Sequence, residues 1–597
     1  MLDIKNQLCL SLLLNYNSNN TNNECTKATK GKSMKKQCKP WLFLCSNIFL
    51  VLNLLCYFGI RSMWSGIIRY TFDSMPYILL FTLVAACLTA TLMTINKKFR
   101  LIPAFLFFAL GLLFFGLDAY IISLTTEASH YFIREFLYNL RYIAVVALLC
   151  CLIFVLPKQK FFQKKWMPSV FLVLIFIGGL LWRFDVLIPN SINCTPAVFA
   201  VEDNYQIVFS TKSKGTAWVE IDGVEYNETY AGYRTTESRI HKVTVPMEVL
   251  DNAGEYTLYA KSMLLRGPYS SMQGKTISES FHWRGVTLED GLNYYAISDV
   301  HNITKTPVEA ASYFGDDLDF LINCGDQVSW IDRTSDLEEV FRMCGKITNG
   351  EVPVIYARGN HETKGVKAHE FHNYVGTNGT DFYFTFRLKN IWGVVLDVGE
   401  DHADDFVEYY GAAKFDAYRD EQTAFLDEII ANADTEYNAP GVDYRIAVCH
   451  IPLTIKSAND HAGAWKDAWI ERLNQMNLTL LFGGHTHELW FIDDAFEDGS
   501  TLVMCEEFSG KATGNSKRIM TNANFPAILV SKKTEGQQLT YPEHVFDTHF
   551  VGVAATSNGT TTTLRYTNEK QQPLENIISP WFSEITYGNK IEVENAK

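Results

Sequence analysis

The sequence predicts a multidomain chain of three parts in series: an all-α transmembrane bundle, an all-β sandwich, and a layered α/β sandwich whose strands end in polar residues. Three observations predict it. Charge divides the chain unevenly: residues 1–188 hold 19 of the 52 Lys+Arg and 7 of the 66 Asp+Glu, a net +12, and residues 189–597 carry a net −26. Apolar runs long enough to span a bilayer are confined to the first of these parts. After residue 290, apolar strands alternate with helix-like stretches, a rhythm that builds a largely parallel sheet. The acidic part repels phosphate polymers, so no nucleic-acid partner is expected.

The apolar runs cover residues 41–60, 76–95, 101–125, 142–157 and roughly 167–187. About 20 apolar residues make a spanning helix, and a signal peptide accounts for one run but not five. Basic residues alternate between the loops: Lys35, Lys36 and Lys39 precede the first run, Lys97, Lys98 and Arg100 follow the second, and Lys158, Lys160, Lys164 and Lys165 follow the fourth. The positive-inside rule places the N-terminus in the cytoplasm. Residues 1–40 then form a disordered basic tail, 41–188 a five-helix region in the lipid bilayer, and the odd number of spans puts the rest outside the cytoplasm, with the plasma membrane the expected site. Asp118, within the third run, reads as an acid reaching the outer interface.

Eight of the 13 cysteines lie before residue 190. The other five, Cys194, Cys324, Cys344, Cys449 and Cys505, are odd in number and widely spaced, a pattern unlike a disulfide scaffold. Six Asn-x-Ser/Thr sequons follow residue 190, one at Asn302.

Residues 194–285 show short period-two segments at Gln206–Ser210, Ala217–Ile221, His241–Val245 and Tyr256–Ser262, separated by Gly, Asn and Asp. That pattern suggests an antiparallel sandwich. No catalytic residue types cluster in it, so it reads as a spacer.

From about 292 five apolar strands each lead into metal-capable residues. Tyr294–Ser298 leads to Asp299 and His301, Leu318–Cys324 to Asp326, and Val352–Ala357 to Arg358, Asn360, His361 and Glu362. Tyr444–Cys449 leads to His450, and Leu478–Phe482 to His485 and His487. Ligands collect at the carboxyl ends of strands in such sheets. Oxygen and nitrogen donors without thiolate suit a pair of Mn, Fe or Zn ions. A helix is expected over Phe415–Ala433. Phe525–Ser531 and Thr561–Tyr566 read as strands that finish a second sheet, and residues 571–597 as a polar, loosely ordered end.

The ordered set Asp-x-His, Gly-Asp, Gly-Asn-His-Glu, His and Gly-His-x-His resembles the calcineurin-like metallophosphoesterase family over residues 292–530. The resemblance implies a four-layer α/β sandwich over about 290–570, with two divalent or trivalent metal ions. Asp299, His301 and His487 would hold the first ion, Asn360, His450 and His485 the second, and Asp326 would bridge both. The segment 194–285 also resembles the fibronectin-type-III-like domain that precedes the catalytic domain in purple acid phosphatases. Departures from that subfamily stand at His301, where it has Gly, and at Gln327-Val328-Ser329, where it has a Tyr ligand. A colourless centre is therefore expected.

The implied activity is hydrolysis of a phosphate ester by in-line attack of a metal-bridging hydroxide. His361 would protonate the leaving group, Glu362 would orient that imidazole, and Arg358 would grip phosphate through its guanidinium fork. His369, His372, His402 and His461 read as ordinary loop residues of the same domain. The competing readings are a membrane sensor with a degenerate phosphoesterase domain, or a transport-type bundle that carries the domain as an accessory. A glycan on Asn302 would stand beside His301, so the chain fits a host that leaves that sequon bare.

Overall fold

The computed structural model describes residues 177, 178 and 181, and then residues 189–596 apart from 231, 267–270, 289–290, 407–408, 410, 458–459, 488, 493–500, 504–516, 531–538 and several short stretches between 542 and 590. The five expected spans otherwise lie outside the described residues, as do Asp118 and the basic tail. Among the described residues no helix is long and apolar enough to cross a membrane.

Two β-sheets face each other, and each carries helices on its outer side. Strands Leu292–Ile297, Phe320–Asn323 and Val354–Tyr356 run parallel in a 12-stranded sheet. Ile391–Leu396, Tyr444–Cys449, Leu480–Gly483 and Ala527–Leu529 run parallel in a six-stranded one. Successive side chains on a strand point to opposite faces. Tyr294 and Ala296 accordingly enter the core between the sheets, with Phe320, Ile446 and Phe482. Tyr295 and Ile297 turn outward beneath helix Thr334–Thr348, against Leu337, Val340 and Phe341. The second sheet repeats the device: Val394 and Leu396 meet Leu426 and Ile429 of helix Phe415–Ala431 and Trp469 of helix Gly463–Leu473. The result is the expected α/β four-layer order, and each of the five strands read from the sequence is present.

The separate sandwich over 194–285 is corrected. Ala197–Val201 pairs in parallel with Val354–Tyr356 on one side and antiparallel with Asn204–Ile221 on the other, so the segment extends the first sheet. Its five residues, all buried, form a continuous apolar run, the signature of a strand covered on both faces. Gln206–Ser210 and Ala217–Ile221 are two halves of one 18-residue strand, irregular between Ser210 and Gly215. An independent domain has its own core. Here Val198, Phe209, Val243 and Leu258 share the core of Tyr294, Phe320 and Phe482. Polar contacts add to the union: Arg342 donates to Asn193 O and Ser210 Oγ at 2.8 Å each, and Tyr256 Oη donates to Gly350 O at 2.8 Å.

The C-terminal expectations change likewise. Ala527–Leu529 joins the second sheet as expected, but Thr561–Asn568 belongs to the first, between Val551–Ser557 and Ile591–Glu594. The polar end therefore contributes an edge strand; its alternate residues Ile591 and Val593 are buried.

A chain cut to residues 290–597 loses the strands beside Val354–Tyr356 and exposes their apolar faces. It is expected to be insoluble or to lack a cooperative thermal transition, whereas residues 189–597 melt in a single step by calorimetry. Two separate transitions, or a stable 290–597 fragment, would restore the independent sandwich.

Candidate metal centre

The loops after the five strands converge on one edge of the two facing sheets. Asp299, His301, Asp326 and His487 place ligand atoms within 4.8 Å of one another, and so do Asp326, His450 and His485. Asn360 completes the second group, its Oδ1 lying 3.2 Å from both His450 Nε2 and His485 Nδ1. Asp326 is common to the two. Its Oδ2 stands 3.2 Å from His450 Nε2 and 3.8 Å from His301 Nε2. The structure thus brings together all seven residues expected to hold metal.

Backbone conformation aims these side chains. Five of the seven have positive φ: Asp299 at 55°, His301 at 48°, Asp326 at 56°, His485 at 72° and His487 at 56°. Residues other than glycine seldom adopt that region unless their surroundings enforce it. Bonds between the loops do so: Asp299 N donates to Gly325 O, and His301 N to Asp326 O, both at 3.0 Å. His485 N donates to both oxygens of Asp299, at 3.1 and 3.0 Å. Glycine is required where loops touch, since a Cβ at Gly484 would overlap Ser298 Oγ and Asp299 Oδ2, and one at Gly359 would overlap Asp326 Oδ1.

The donor set fits cations. Asp299 and Asp326 are buried, and their ion pairs among the described residues are with histidines alone. Burial would raise the Asp326 carboxyl, but His450, His361 and His301 outweigh it and hold it well below the usual carboxylate range. Burial likewise opposes charge on His450, yet Asp326 lifts that imidazole to about 10. His301, desolvated, is pushed down to about 4 and stays neutral. His450 Nδ1–H donates to Cys324 O at 2.6 Å, so Nε2 is the ring nitrogen turned to the site. Such a bond to the far ring nitrogen is usual for a metal-binding imidazole.

His361 stands at the rim. Its Nδ1–H donates to Ser329 O at 2.8 Å, and its Nε2 lies 3.9 Å from Asp326 Oδ2. Asn302 supports that contact, its Oδ1 accepting from Ser329 N at 3.0 Å. Glu362 does not orient His361. Its buried carboxylate accepts from the backbone N–H of Asp326, Gln327, Val328 and Gly359 at 2.6–3.2 Å, and so holds the Gly-Asp turn in place. Arg358 is paired with a carboxylate of this chain. Its Nη2 and Nε lie 2.6 and 2.7 Å from Asp397 Oδ2, and its guanidinium covers the Phe382 ring at 4.1 Å.

The sequence reading missed residues 397–401. Asp397 pairs with Arg358, Glu400 accepts from Asn360, and Asp401 Oδ2 lies 3.5 Å from His485 Nε2. A signal was present, since Asp397 to Glu400 follow directly on the buried strand Ile391–Leu396. Of the loop histidines, His402 adjoins this segment, His461 Nε2 meets Asp416 at 2.9 Å, and His372 bonds His369 O at 3.0 Å within their own turn. Cys324 and Cys449 are packed in the core.

Residues 292–489 match the calcineurin-like phosphoesterase family. Among solved structures the chain is similar to the purple acid phosphatase PPD1 from yellow lupin (Lupinus luteus) seeds, at 14% identity and TM-score 0.42, over 65% of this chain and 74% of that one. It is also similar to PhoD, at 11% identity and TM-score 0.36, over 65% of this chain and 93% of that one. No curated protein matches it. That match supports a metal-dependent phosphoesterase, and the matched family implies a dinuclear metal centre.

Removing one partner of a buried ion pair costs about 3–5 kcal/mol. Arg358→Ala should therefore lower the urea unfolding midpoint sharply while leaving the KM of the folded fraction near the original. A raised KM with unchanged stability would return Arg358 to phosphate binding.

Proposed function

We propose that the chain is a membrane-anchored hydrolase that cleaves phosphate esters outside the cytoplasm at a two-metal centre. The observation that carries the catalytic part is Asp326, whose carboxylate is shared by two groups of ligand atoms contributed from both sheets. On this reading Asp299, His301 and His487 hold one ion, Asn360, His450 and His485 hold the other, and Asp326 belongs to both. Mn, Fe or Zn suits these donors. When bound, the ions supply an activated water and positive charge for the phosphoryl oxygens.

The chain's own residues supply position and the proton. His450, with Nδ1–H given to a carbonyl, keeps Nε2 free for the centre. His361, with Nδ1–H held by Ser329, presents Nε2 at the rim, where it meets the leaving oxygen and donates a proton to it. Glu362 keeps the Asp326 turn rigid, and Arg358 with Asp397 ties the neighbouring loop. A carboxylate held this firmly needs no rearrangement as charge develops during reaction.

The anchoring part rests on the five apolar runs and the alternation of basic loops, which put the N-terminus in the cytoplasm and the catalytic domain beyond the membrane. The substrate class is a phosphate ester.

Loss of a general acid slows turnover by about 10²–10⁴-fold. His361→Ala is therefore expected to keep its metal content and to lose more activity on alkyl phosphates than on nitrophenyl phosphate, whose leaving group needs little protonation. An equal loss on both would make His361 a phosphate-binding group. The location has its own test: intact cells should hydrolyse an impermeant phosphate ester, and external protease should abolish that activity. Hydrolysis that appears only after lysis would reverse the orientation.

A further inference from the structure

We infer that the consecutive carboxylates Glu400 and Asp401 are positioning residues for the second ion alone: Glu400 fixes Asn360, Asp401 fixes His485, and together they set that ion's affinity independently of the first. The inference rests on the ligand assignment proposed above.

Glu400 decides which end of the Asn360 amide faces the centre. Asn360 Nδ2 donates to Glu400 Oε1 at 3.1 Å and to Oε2 at 2.9 Å. A carboxylate accepts hydrogen bonds, so the amide must turn its NH₂ to Glu400 and its carbonyl oxygen to His450 and His485. Reversed, the amide would present two N–H donors to a cation. Lys364 Nζ, 3.1 Å from Glu400 Oε2, also partners the carboxylate.

Asp401 acts on the neighbouring ligand. His485 turns Nδ1 toward Asn360 Oδ1 at 3.2 Å and Nε2 toward Asp401 Oδ2 at 3.5 Å. A carboxylate on the far nitrogen fixes ring orientation and makes the imidazole a better donor. The two carboxylates are adjacent in sequence, and each serves a different ligand of one ion.

The loop that carries them is built to stay in place. From helix Phe415–Ala431, Arg419 Nε donates to Val398 O at 3.0 Å and Arg419 Nη2 to Glu400 O. Gln422 Nε2 donates to Asp397 O at 2.6 Å, and Asp397 N donates back to Gln422 Oε1 at 2.8 Å. Both side chains are fully buried. The first group is arranged differently: His301 and His487 meet each other at 3.1 Å, and His487 Nε2 lies 3.3 Å from Asp299 Oδ1.

The test is equilibrium dialysis of the full chain in detergent, stripped of metal and titrated with Mn²⁺. The wild type should bind two ions. Glu400→Ala and Asp401→Asn should keep one at unchanged affinity and weaken the other by about 10–100-fold, the usual effect of losing a residue that orients a ligand. Glu400→Gln, whose carbonyl still accepts from Asn360, should recover most of the loss. The metal-free melting temperature of Asp401→Asn should match the wild type, which a purely structural role would not allow. Equal weakening of both ions, or none, in Asp401→Asn would overturn the inference. A wild type that binds fewer than two ions would instead sink the ligand assignment beneath it.

Discussion

Asp326 is a buried carboxylate with histidines, and no lysine or arginine, as its ion-pair partners among the described residues. Burying such a charge is costly unless opposite charge compensates it. Much of the surrounding structure serves that one group. Strands of the first sheet deliver Asp326 and His301, and the second sheet delivers His450. Glu362 fastens the turn on which Asp326 sits, through four backbone N–H groups. His361 N donates to Asp326 Oδ1 at 2.9 Å, which ties the Gly-Asn-His-Glu loop to the same carboxylate. Because both groups of ligand atoms meet at this residue, the spacing of the two sheets and the separation of the two groups are one constraint.

The residues gathered at the site were legible in the sequence because each stands just past an apolar strand, and because their ordered motifs together resemble those of one family. The parallel strand pattern was legible too, as period and length are local properties. What escaped was long-range. Ala197–Val201 reads as a short apolar run, and nothing local says that Val354–Tyr356 will be its neighbour. Thr561–Asn568 alternates as a strand should, but which sheet it joins is settled by Val551–Ser557 and Leu292–Ile297.

The same limit governs the corrected site residues. Arg358 stands where the resemblance implies a phosphate-gripping Arg, and Glu362 follows His361 directly, so roles toward substrate and toward that imidazole were expected. Their partners are Asp397, distant in sequence, and the backbone of another loop. Buried polar groups must find partners, and the nearest in space need not be the nearest in sequence. Glu400 and Asp401 escaped for a related reason: an acidic run in a loop reads as solvated surface until Asn360 and His485 are seen beside it.

The fused first sheet gives the residues before 290 a mechanical part in the centre. Helix Thr334–Thr348 follows the Asp326 loop, and its Arg342 is fastened to Asn193 and Ser210. Shared charge at Asp326 remains the central claim, and counting metal reaches it most directly. The account predicts that the wild-type chain carries two ions per molecule by elemental analysis, and that Asp326→Asn loses both metal and phosphoesterase activity together. Two tightly held ions in the Asp326→Asn chain would contradict it.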